Sequence, residues 1–144
     1  MTVERILRAK GREVETIRPE VTVVMALHEF ITKGIGALVV TSDGEHVEGV
    51  LSERDVVRGL ARHGQMLFGT PVSKVMSRHA PTCAPTDSVK HVMSEMTRTR
   101  HRHLPVIDAG KLAGIISIGD VVKSRLEDLE LETVVLRDAY IARG

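Results

Sequence analysis

One cysteine, no tryptophan, one tyrosine and two phenylalanines are all that this 144-residue chain offers of those types. The single cysteine, Cys83, cannot form an intramolecular disulfide, so nothing in it points to an oxidising compartment. With Phe30, Phe68 and Tyr140 as the only aromatics, the core must be aliphatic, and a protein that stacks single-stranded bases is argued against. A dominant charge is also missing. The formal net charge is +1, so no overall field calls for nucleic acid or an anionic membrane. No apolar run approaches the roughly 18 residues of a membrane span. The start, Met1-Thr2-Val3-Glu4-Arg5, lacks the apolar stretch of a signal peptide, which makes a soluble cytoplasmic protein the expectation. There is no Gly-x-Ser-x-Gly elbow, P-loop or His-Glu-x-x-His, and Cys83 has no evident activating partner, so an enzyme is not expected.

What the chain does have is a pattern written twice. Gly49-Val50-Leu51-Ser52-Glu53-Arg54-Asp55-Val56-Val57 returns as Gly114-Ile115-Ile116-Ser117-Ile118-Gly119-Asp120-Val121-Val122, 65 residues later. Thr16 with Thr82, Pro19 with Pro85, Val23 with Val89, Leu38 with Leu104, Val40 with Val106 and Gly44 with Gly110 pair at 66 residues. Two leads also correspond, Val3-Glu4-Arg5-Ile6-Leu7 and Val72-Ser73-Lys74-Val75-Met76. The period exceeds the roughly 20–50 residues of solenoid repeats, so two copies imply a pseudo-twofold pair. The boundaries are 3–69 for the first copy, 72–130 for the second and 131–144 for a C-terminal helical extension.

Each copy reads as β-α-β-β-α, giving a mixed α/β (α+β) fold. In the first, Glu13 to Ile17 predicts a short strand. Thr22 predicts an N-cap, Val23, Ala26, Leu27, Phe30 and Ile31 a helix, and Gly34 its end. Ala37 to Thr41 and Val47 to Leu51 predict strands around the turn Ser42-Asp43-Gly44, and a helix follows from Glu53 to about His63. In the second, Thr82 and Cys83 fall on the first strand, and Ser88 caps a helix carrying Val89, Val92, Met93 and Met96. Strands over Leu104–Ile107 and Leu112–Ile116 flank Ala109-Gly110. Three strands and two helices are too little for a core alone, so the copies should pack together. Met25, Met76, Met93 and Met96 read as adaptable core.

Ser52-x-x-Asp55 and Ser117-x-x-Asp120 are helix-start patterns, in which serine accepts from the first turn and the acid favours the positive dipole end. The same geometry suits a ligand. A helix N-terminus attracts phosphate, and a carboxylate beside it can accept from a ligand's hydroxyl groups. Residue types alone leave both uses open. The run Arg98-Thr99-Arg100-His101-Arg102-His103 is likewise open between a solvated basic helix end, an anion-binding edge, a metal site and a nucleic-acid contact. Metal binding lacks a third ligand nearby, and nucleic-acid binding lacks charge excess and interleaved aromatics.

The paired repeats, the stretch Arg102-His103-Leu104-Pro105-Val106-Ile107-Asp108 and the two Gly-x-x-Ser-x-x-Asp junctions resemble the cystathionine-β-synthase (CBS) domain family, with two domains in tandem as in a Bateman module. The likeness covers about Val3 to Glu130 and leaves no room for another domain, as in a stand-alone CBS pair. It implies a sensor that binds AMP, ADP, ATP, NAD or S-adenosylmethionine between the repeats, needs no further cofactor or metal, and forms a disc-like homodimer that acts on an unknown effector protein. It further implies that Asp55 and Asp120 hold ribose and that Ser52 and Ser117 lie near phosphate. The base would meet Thr16 and Ile17 or Thr82 and Cys83, beside Gly36, Ala37 and Leu38 or His103, Leu104 and Pro105. A structural dimerisation module with empty clefts is the alternative.

The copies differ where a ligand's charge would sit. Arg54 stands between the first serine and aspartate, Gly119 between the second pair. Arg100 and Arg102 have only Gly34 and Gly36 as counterparts. Two unequal clefts sharing these cations are expected, with a phosphorylated ligand reaching toward them. Beyond the repeat, Val122, Leu126, Leu129, Thr133, Leu136 and Tyr140 form a narrow heptad-spaced seam, which could pack within the chain or against a partner helix.

Overall fold

The computed structural model describes residues 1–143, with side chains to Ile141. Helix α1 (Val3–Lys10) is followed by strand β1 (Thr16–Ile17), helix α2 (Val23–Lys33), strands β2 (Ala37–Val40) and β3 (Gly49–Ser52) and helix α3 (Glu53–His63). After 3₁₀ turns over 64–69 and 72–74 come α4 (Val89–Thr99), β4 (His103–Asp108), β5 (Lys111–Ser117) and the long α5 (Ile118–Arg143). No described helix is long and apolar enough to cross a membrane.

In the first repeat β1 runs parallel to β2, and β2 antiparallel to β3, with Leu38 opposite Leu51. In the second, β4 and β5 form a hairpin with Leu104 opposite Ile116. The strand expected at Thr82 and Cys83 shrinks to one parallel pairing of Cys83 with Val106. Pro81 and Pro85 flank it, and proline has no N–H to give to a ladder. The first-repeat strand shortens too, to Thr16–Ile17 rather than Glu13 onward.

Helix ends follow side-chain chemistry. The Ser88 hydroxyl accepts from the His91 N–H at 3.0 Å. Thr22 stands at the N-cap of α2, but its side chain makes no cap bond. On that helix Val23, Ala26 and Phe30 are buried, whereas Ile31 and Met25 are exposed, so the apolar stripe is narrower than its spacing implied. Met25 is therefore surface, not core.

The leads cross over. Val3, Ile6 and Leu7 of α1 pack with Cys83, Val89, Leu104 and Ile116 of the second repeat. Val72 and Met76 pack with Ile17, Val23, Leu38 and Leu51 of the first. Matching hydrogen bonds hold both crossings. The Val3 N–H donates to Asp87 O and the Val72 N–H to Val21 O; the Glu4 N–H donates to Pro85 O and the Ser73 N–H to Pro19 O. Each lead thus completes the core of the repeat that does not follow it.

The crossing accounts for the leading glycine of the repeated motif. A Cβ on Gly114 would lie 2.6 Å from Leu7 Cδ2, and one on Gly49 would lie 2.7 Å from Met76 Sδ and 2.9 Å from the Ser77 carbonyl oxygen. Close approach of the crossing segment, rather than an unusual backbone angle, excludes a side chain there.

Candidate functional site: a cleft between the repeats

Strand β3 runs directly into α3, which places Ser52 at the N-cap. The Asp55 N–H donates to Ser52 Oγ at 3.3 Å, while the Ser52 N–H and hydroxyl donate to Asp55 Oδ2 at 2.8 and 3.0 Å. The Ser77 hydroxyl, from the lead that crosses into this repeat, donates to Asp55 Oδ1 at 2.8 Å. Asp55 is thereby only 8% exposed and uses both oxygens within the chain.

The second junction repeats this plan with a charge. The Ser117 N–H donates to Asp120 Oδ2 at 2.9 Å, and the Asp120 N–H donates to Ser117 Oγ at 3.2 Å. Here the crossing segment is α1, and Lys10 Nζ donates to Asp120 Oδ2 at 2.7 Å. Burial works against the Asp120 charge, but Lys10 and the Ser117 N–H outweigh it and hold the carboxyl below its ordinary value.

The first junction opens into a cleft of about 720 Å³. One wall is the start of α3, with Ser52, Glu53, Arg54, Asp55 and Arg58; the other is the end of α4 and the start of β4, from Thr99 to His103. Arg54 ties the walls together, since its Nη1 donates to the Arg100 carbonyl oxygen at 3.0 Å. His101 Nδ1 is buried in the facing wall without a hydrogen-bond partner. Burial, and then the Lys10 charge, push the His103 imidazole below its ordinary value, against the opposing pull of Asp120 and Glu53.

The expected site residues divide by place. Gly36, Ser52, Arg54, Asp55, Arg100, Arg102 and His103 share the large cleft. Thr82 and Pro105 line a smaller one of about 240 Å³, against Gly49 and Val50. Ser117 and Asp120 stand at the second junction, beside Lys10. Ile17 and Leu38 are packed in the first core, Cys83 and Leu104 in the second. Ala37 is buried on β2 and Thr16 is exposed on β1. Burial pushes the Cys83 thiol up to about 12, with Asp87 adding to it, so it is no nucleophile at neutral pH. Among the described residues no three His, Cys, Asp or Glu side chains gather as a metal site would need. Sequence reasoning missed Arg58, Ser77 and Lys10. Arg58 was open to discovery, because it lies one turn after Arg54 on the same helical face. Ser77 and Lys10 reach their aspartates only through the crossing of the leads, which no local pattern announces.

The CBS domain family model matches residues 3–62 and 72–127. A CBS domain-containing protein of Arabidopsis thaliana, the mitochondrial CBSX3, is 31% identical over 151 aligned residues, spanning 99% of this chain and 73% of that protein. The crystal structure of a CBS-domain containing protein from Agrobacterium tumefaciens superposes with a TM-score of 0.83 at 40% identity, covering 87% of this chain and 99% of that one. The structure of CBSX2 in complex with AMP superposes with a TM-score of 0.74 at 26% identity, covering 88% of this chain and 96% of that one.

Proposed function

This chain belongs to the CBS domain family, and from that premise we propose that it is a regulatory module, not an enzyme, which binds an adenosine nucleotide of the AMP, ATP or NAD class between its repeats and signals through the conformation of a homodimer. The observation that carries the proposal is the cleft of about 720 Å³, with a buried aspartate and a helix N-terminus from one repeat facing arginines from the other. That size falls within the roughly 300–1,000 Å³ of small-molecule sites. The complex of the relative CBSX2 with AMP supports the choice of ligand class. Ribose hydroxyls would replace Ser77 at Asp55, and phosphate would lie at the start of α3 between Arg54 and Arg100. A ligand held from both repeats favours one arrangement of them over another, which is what coupling to a partner requires. The proposal includes a cytoplasmic setting, supported by a cysteine that has no partner in the chain.

A thermal-shift panel tests it. A ligand at one hundred times its Kd stabilises the fold by about 2.7 kcal/mol, which for a chain of this size raises Tm by roughly 5–10 °C. AMP, ATP or NAD should produce such a shift, and a random oligonucleotide should not. A flat panel overturns nucleotide binding and leaves the alternative, a dimerisation module with empty clefts. That alternative draws support from Asp55 and Asp120, whose carboxylates already hold partners within the chain.

For the dimer, α5 supplies a surface. Val122, Leu126, Leu129, Leu136 and Tyr140 of its seam are all exposed. In heptad terms Arg125 and Glu132 fall at g, and Glu130 and Arg137 at e. In a parallel pair of copies Arg125 meets Glu130 and Glu132 meets Arg137, so both flanking contacts join opposite charges; an antiparallel pair overlapping along the whole helix sets Glu130 against Glu130. The proposed occupant of this face is a second copy in parallel. Light scattering after size exclusion should give a dimer for the wild type and a monomer for the Leu129→Glu, Leu136→Glu double variant. A wild-type monomer, or a dimer indifferent to the double change, rejects this surface.

A further inference from the structure

Arg100 stands where the first repeat has Gly34, and both residues end a helix in the left-handed region. Gly34 lies at φ 62°, ψ 41°, and Arg100 at φ 58°, ψ 34°. Glycine adopts that conformation freely, whereas a residue with a Cβ loses stability in it. Strained non-glycine backbone of this kind persists where the surroundings hold it, and it gathers at ligand clamps. Here Arg54, from the other repeat, holds the Arg100 carbonyl at 3.0 Å. The strained residue therefore sits on the cleft wall, with its backbone pinned from the opposite wall.

Two further observations say what the wall is for. The cleft is lined by four arginines, Arg54, Arg58, Arg100 and Arg102, against two carboxylates, Glu53 and Asp55. Among the described residues none of the four arginines forms an ion pair, whereas Arg98, just before them, is paired with Glu95 at 2.7 Å. His101 adds a buried nitrogen without a partner. Guanidinium groups without carboxylate partners lining one cleft make a positive field that attracts anions and repels cations.

We propose that Arg100 is a specificity-determining residue, kept in a strained backbone so that the cleft selects adenosine ligands by their phosphate charge: ATP over AMP, AMP over adenosine, and all phosphorylated forms over the sulfonium of S-adenosylmethionine. This rests on the proposed adenosine-binding function and names the ligand charge that function uses. It also sets stability against binding at a single position, because glycine there relieves the backbone and removes the charge.

The test is calorimetric titration of wild type and Arg100→Gly with adenosine, AMP, ATP, S-adenosylmethionine and inorganic tripolyphosphate, together with the melting temperature of each unliganded protein. Arg100→Gly should melt higher than wild type yet bind ATP about 10-fold or more weakly, as loss of a charge-assisted contact does, with adenosine affinity unchanged. Arg100→Asn, a residue that also tolerates this backbone, should show the same loss for ATP. Wild type that binds adenosine and ATP equally, or an Arg100→Gly that binds ATP as wild type does, overturns the proposal while leaving adenosine binding intact. Tripolyphosphate that binds as tightly as ATP and depends on Arg100 supports the anion wall and overturns the adenosine reading. Silence from every ligand overturns both.

Discussion

Leu7→Ala is expected to cost roughly 2–5 kcal/mol, as large-to-small changes at fully buried leucines do, and to lower Tm by roughly 6–15 °C. The position of the damage matters more than its size. Leu7 lies in the first segment of the chain, yet it is packed among Val89, Leu104 and Ile116 of the second repeat. Hydrogen exchange should therefore show lost protection in α4, β4 and β5, with α2 and β2 spared. Met76→Ala should do the reverse, loosening the first repeat from a position in the lead of the second. A further check uses Gly114, whose missing side chain makes room for Leu7 at 2.6 Å. Gly114→Ala alone overpacks that contact, but combined with Leu7→Ala the new methyl enters the space left behind, so the two costs should sum to more than the double variant shows. Protection lost first in α2 and β2, or strictly additive costs, would mean that the leads do not cross as described.

That crossing marks the limit of what the residues alone disclose. The repeat, the strands on either side of the Gly44 and Gly110 turns, and the helix starts at Ser52 and Ser117 were legible, because apolar runs, cap chemistry and turn glycines act over a few residues; the register that sets Leu38 opposite Leu51 and Leu104 opposite Ile116 was not read. Equivalence of the leads was legible as well. Which core each lead enters was not, since a pattern shows that Leu7 matches Met76 without showing where either points. The unequal junctions followed from the same blindness. Arg54 against Gly119 announced a difference, but the Ser77 and Lys10 contacts that define it come from segments 22 and 110 residues away. The strand expected at Thr82 and Cys83 was overcounted because the repeat was carried across Pro81, where the first copy has Glu15; the second proline, Pro85, is matched by Pro19.

Asp55→Ala is expected to abolish nucleotide binding, with an affinity loss of roughly 100-fold or more, since two ribose hydroxyls would each lose a charged acceptor worth about 1.5–3 kcal/mol. It should also lower stability by about 1–3 kcal/mol, because Ser52 and Ser77 lose their partner and α3 loses the carboxylate half of its capping box. A lost affinity accompanied by lost stability is ambiguous, and Ser77 resolves it. In the unliganded protein the Ser77 hydroxyl occupies Asp55 Oδ1 at 2.8 Å, the position the proposed ribose takes over. Ser77→Ala leaves that buried oxygen without a donor, so stability should fall while affinity for AMP or ATP rises, the ligand now satisfying a group that the chain does not. Two variants on one hydrogen bond then move stability the same way and affinity opposite ways. Weaker binding in Ser77→Ala would show that Asp55 does not receive the ligand. The second junction supplies the control. Asp120 has Lys10 on it rather than a neutral hydroxyl and borders a cavity of only about 180 Å³, so Asp120→Ala should disturb the α1 contact while leaving most of the nucleotide affinity in the first cleft.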